Sequence, residues 1–121
     1  MAQAYFSVQA HGHILVAAAQ PGLFDGMPEM GGGPANAELV VGLRAALPEV
    51  AVRVVLDLRG AGEVNHRTVA AAVTLARTVS GTGVRFALCG DPFFLQVWEV
   101  CRFNQFWPAF ADIEAATAHV E

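Results

Sequence analysis

The chain contains no lysine: its seven basic residues are all arginines, set against eleven acidic ones for a net charge of -4. The arginines are scattered from Arg44 to Arg102, so no basic stripe exists to follow a phosphate backbone, which argues against nucleic acid as a partner. The missing lysine itself reads as a bias toward Arg and Ala codons and carries no functional meaning. Long hydrophobic runs are absent too. Stretches such as HILVAAA and VRVVLDL fall far short of the roughly 20 apolar residues that cross a bilayer. No basic segment precedes an apolar one at the N-terminus. The expectation is a soluble, cytoplasmic protein without membrane insertion. Cysteine is scarce: Cys89 and Cys101 stand far apart, outside any C-x-x-C pair and each in an apolar context, and read as reduced core residues.

What the chain does have is apolar residues, 55% of the total against 15% charged, enough for one core in 121 residues. No composition shift or repeat divides it, so a single domain over 1–121 is expected. FSVQAHG and HILVAAA predict a hairpin from about Phe6 to Ala19. Residues 20–36, QPGLFDGMPEMGGGPAN, are crowded with glycine and proline and predict a long flexible loop. Leu39, Val40, Leu43 and Leu47 recur at helical spacing, with Asn36 as N-cap and Pro48 as stop. VRVVLDL is apolar at nearly every position, as in a central strand covered on both faces. Val69, Val73, Ala76 and Val79 share one face of a second helix that ends at Ser80-Gly81. A strand from Gly83 to Leu88 follows, then a helix from Phe93 to about Arg102 with Asp91 as N-cap and Pro92 at N1, a short WPAFAD segment, and a last helix from Ile113 to Val120. The fold class is α/β, in the order β-β-α-β-α-β-α-β-α, with a mixed, mostly parallel sheet. Sites in such sheets lie at strand C-terminal ends, which singles out the turn after Leu58.

That turn opens the second helix with Asn65, His66, Arg67 and Thr68. A helix N-terminus favours anions, so His66 and Arg67 stand against the local field, and Asn65 is a strong N-cap type. Three exposed donors at a strand end suit recognition of a partner. The remaining constellations carry less. His11-Gly12-His13 lacks a third ligand and is no zinc pattern. Gly31-Gly32-Gly33 lacks a phosphate-binding frame. Asp25, Asp57 and Glu63 can gather near the turn, yet no nucleophile or metal partner accompanies them, so no metal, cofactor or catalytic group is expected. Among the aromatic residues Phe93, Phe94, Trp98, Phe103, Phe106 and Trp107, Phe93 and Trp107 are the two expected to be exposed.

The stretch VVLDLRGAGEVNHRTVAAAV, Val54 to Val73, resembles without gaps the pattern VVLDLSGVxxIDSSGLxxLL of STAS domains, the fold of anti-sigma factor antagonists. GVRFALCGDPFFLQVWEVCRFNQFWPAFADIEAA resembles the second half of the same family, with Phe106 to Phe110 at its FPxF position, and Gly22-Leu23-Phe24-Asp25 resembles the G-x-L-D ahead of its first helix. The resemblance implies a STAS-like domain that acts without catalysis, binding an anti-sigma factor or similar kinase-fold protein through residues 63–71 and the 20–36 loop, with Asp25 and Asp57 beside the switch. It equally implies, as an alternative, an accessory subunit of a lipid-transport ATP-binding complex or a stressosome-like scaffold, and it leaves room for a homodimer. In the family the second Ser of Asp-Ser-Ser-Gly is phosphorylated. Asn65 falls on the Asp, His66 on the first Ser, Arg67 on the acceptor and Thr68 on the Gly, so the usual hydroxyl is missing. Thr68 is then the candidate phosphoacceptor. A helix turns about 100° per residue, which aims its hydroxyl away from the family's acceptor position and favours a local backbone bond instead.

Overall fold

The computed structural model describes residues 5–24, 36–48, 53–80 and 83–121. The chain is α/β, with a five-stranded mixed sheet in the spatial order β1-β2-β3-β4-β5. Strands β1 (Phe6–His11) and β2 (Ile14–Ala19) form a hairpin, antiparallel with His11 opposite Ile14. Gly12 turns it at φ 63°, while His13 keeps a negative φ. A positive φ at only the first of two turn residues is the arrangement that suits the strands' twist, and glycine adopts it without strain. Helix α1 (Asn36–Ala46) leads to β3 (Arg53–Asp57), α2 (His66–Ser80), β4 (Arg85–Cys89), α3 (Pro92–Val100), a 3-10 turn at Phe103–Gln105, β5 (Ala109–Phe110) and α4 (Ile113–Val120). The pairs β2–β3, β3–β4 and β4–β5 are parallel.

The two faces of the sheet are covered unequally. On one face α1, α2 and α3 build the main core with Leu39, Leu43, Val54, Leu56, Leu75 and Trp98. Helix α2 lies close to the strands because Ala71, Ala72 and Ala76 present only methyl groups and are fully buried. Alanine is also the best helix former, so the same residues serve propensity and packing. On the other face α4 packs on β3 and β4, enclosing Ile14, Val16, Val55, Ala87, Cys89, Ala116 and Val120. Val54, Val55 and Leu56 are buried on alternate faces, which is why β3 reads as a continuous apolar run.

The structure corrects several expectations. Cys89 is buried but Cys101, at the C-cap of α3, is exposed. Among the aromatic residues Phe93 and Phe106 are exposed, whereas Trp107 is half-buried and its indole N–H donates to Ser80 Oγ at 2.8 Å. Indole nitrogens require a partner when buried, and this one draws the ring onto the end of α2. Asp91 occupies the N-cap position of α3, but its side chain makes no capping bond. The sharp reversal after α3 is made by Arg102 at φ 63°. Asp25 and the predicted 20–36 loop beyond Phe24 lie outside the described residues.

Candidate functional site

The turn between β3 and α2 is braced by two separate parts of the chain, at 22–24 and at 89–91. Gly60 and Gly62 adopt φ of 75° and 115°, conformations that side chains with a Cβ resist. The Gly60 N–H donates to Asp91 Oδ2 at 2.9 Å, the bond that diverts Asp91 from its own helix. Gly22 N–H donates to the Gly60 carbonyl at 2.8 Å, Phe24 N–H to the Ala61 carbonyl at 2.6 Å, and Leu58 N–H to the Cys89 carbonyl at 2.9 Å. Leu23, Phe24 and Ala61 are buried beneath these bonds. The start of the segment after β2 therefore lies directly against the turn.

Asp57 pairs with Arg59. Its two oxygens accept from Arg59 Nε and a terminal guanidinium nitrogen at 3.0 Å each, and Oδ1 also accepts from the Arg59 backbone N–H at 3.0 Å. This bidentate pair raises the Arg59 pKa above its usual value, through hydrogen bonding first. Among the described residues no three His, Cys, Asp or Glu side chains gather as a metal-ligand set.

The first turn of α2 is closed by a reciprocal cap. Asn65 Oδ1 accepts from the N–H groups of Arg67 at 2.9 Å and Thr68 at 3.1 Å, and Thr68 Oγ1 accepts from the Asn65 N–H at 2.7 Å while donating to the Asn65 carbonyl at 3.0 Å. Thr68 thus takes the place that Glu or Gln holds in a capping box. Its residue is 1% exposed. His66 is fully at the surface and Arg67 half-buried. The four residues singled out in the sequence divide into two structural members, Asn65 and Thr68, and two rim members, His66 and Arg67.

No protein-family model and no curated protein sequence matches this chain. Beside the turn, α2 and α3 diverge on the same sheet face and leave an open groove of about 750 Å³ that begins at Val64, Asn65 and His66 and ends at Arg77 and Cys101. Its apolar floor and walls come from facing stripes, with Val69, Ala70 and Val73 on α2 and Phe93 and Val97 on α3. Those spacings of three, four and eight are visible in the sequence. What it does not show is that, among the described residues, nothing covers the gap between the stripes.

Proposed function

We propose that this chain is a STAS-like regulatory domain that acts by binding another protein, resembling the anti-sigma factor antagonists, and that its contact surface is the rim formed by His66 and Arg67 together with residues 20–22. The observation that carries this reading is the bracing of the β3–α2 turn: Asp91, Gly22, Phe24 and Cys89 all bond to it. A turn whose backbone is held so firmly lowers the ordering cost of association, which favours recognition. The α/β element order, with parallel pairing of β2–β3, β3–β4 and β4–β5, supports this reading.

The proposed mechanism is a binder without the family's usual switch. Arg67 stands at the acceptor position and carries a charge opposite to phosphate. Thr68 points its hydroxyl into the cap, where it is buried and doubly bonded. Complex formation is then governed by the amount of partner or by other ligands. The test is calorimetric titration of the purified chain with the anti-sigma kinase-fold proteins of its own genome, with and without ATP. The expected result is a saturable complex with one of them that ATP does not dissolve. Absence of a complex with each of them, or its release accompanied by phosphate on this chain, would overturn the reading.

A further inference from the structure

The groove between α2 and α3 has the chemistry of a ligand site as well as of a surface. Its volume of about 750 Å³ lies within the range of small-molecule sites, which are mostly apolar with a few placed polar groups. It is elongated: His66 and Arg77 are separated by about 16 Å along α2, from the helical rise. Among the described residues no carboxylate lines it, although the chain is net acidic. Arg77, at its far end, is exposed and makes no hydrogen bond or ion pair with the described residues. The body of the groove is mostly hydrocarbon, and one end carries a cation that no described carboxylate neutralises.

We propose that this groove binds an acyl carboxylate, a single unbranched hydrocarbon tail with one anionic head. The tail lies along Val69, Val73, Phe93 and Val97, and the head pairs with the Arg77 guanidinium, whose fork matches a carboxylate in a bidentate fashion. Phe93, 59% exposed without a ligand, is covered by the tail. The proposal does not depend on the protein-binding reading, because it rests on the groove's own lining, in which only His66 is shared with the rim.

Cys101 lines the same end as Arg77 and carries an exposed free thiol, so it reports occupancy. The full chain is treated with iodoacetamide, and alkylation of Cys101 is followed by peptide mass spectrometry during titration with laurate below its micellar concentration. Laurate should slow alkylation in a saturable way. Arg77→Gln should weaken that protection up to about fivefold, the scale of an exposed ion pair, and leave protection by dodecanol unchanged. Ala70→Phe, at an exposed position that fills the groove, should abolish protection by both. Equal protection by dodecyltrimethylammonium, no saturable protection by laurate, or full protection in Ala70→Phe would each overturn the proposal. A phospholipid vesicle that protects while free laurate does not would do the same.

Discussion

Asn65 and Thr68 hold each other in place: the backbone N–H of Asn65 donates to Thr68 Oγ1 at 2.7 Å, and the Asn65 side chain accepts from the Thr68 N–H at 3.1 Å. A hydroxyl in this position is a structural group. Thr68→Val keeps the shape but leaves the Asn65 N–H without its acceptor, and should cost about 1–3 kcal/mol. Urea denaturation would read that loss as a lower midpoint at unchanged slope. Incubation with ATP and an anti-sigma kinase should add no phosphoryl mass at Thr68, since a kinase would have to open the cap first. A modified Thr68 in otherwise folded protein would return this residue to the role of a switch.

Asp91 reaches across 31 positions to the Gly60 N–H, so its removal should be felt in the turn and not in α3. Asp91→Ala should cost about 1 kcal/mol, an ordinary net hydrogen bond. Amide exchange locates the effect: the Gly60 N–H should exchange faster while the amides of α3 hold their rate. Faster exchange confined to the first turn of α3 would mean that Asp91 acts as a helix cap after all.

The two thiols should behave as opposites. Cys101 should react with a thiol reagent in the native protein, and Cys89 only after unfolding. Burial, then the nearby Asp57 carboxylate, pushes the Cys89 pKa up from 9.0 to about 12. Because the folded pKa is the higher one, the unfolded chain loses this proton first. The stability tied to the neutral thiol is complete below about pH 9 and is lost as pH rises toward about 12. Cys89→Ala should therefore lose stability less steeply than the parent over that alkaline window. Parallel pH profiles in the two proteins would show that the thiol is not held neutral by the fold.

Much of the architecture was legible because local pattern and tertiary burial agree. The hairpin has Gly12 where a positive φ is needed, and α4 runs from Ile113 to Val120, the bounds expected of the last helix. Legibility ended where a residue had two suitors. Asp91 can serve its own helix or a distant turn, and only the fold decides between them. Phe106 and Trp107 are neighbours without a helical period, because Arg102 reverses the chain just before them, so which ring turns inward depends on Ser80. At the candidate site, Asn65 was readable as a cap from its type. The exposed groove was not, since periodicity marks apolar stripes on α2 and α3 but says nothing of the distance between them.

Arg67 offers the sharpest separation of fold from function. It is the second residue of α2, where the partial positive charge of unpaired N–H groups disfavours a cation by about 0.3–1 kcal/mol at low salt, and Asn65 Oδ1 bonds to its backbone N–H. Arg67→Glu should therefore hold or raise the stability of the isolated chain by that amount, and added salt should shrink the difference. The same substitution should weaken the proposed protein complex, mainly by slowing association, because it reverses a charge at the rim. Thermal denaturation and surface-immobilised binding kinetics measure the two effects independently. A more stable variant that binds its partner as fast as the parent would remove the β3–α2 rim from the interface and move the contact to the exposed side chains of Phe93, Val100 and Phe106.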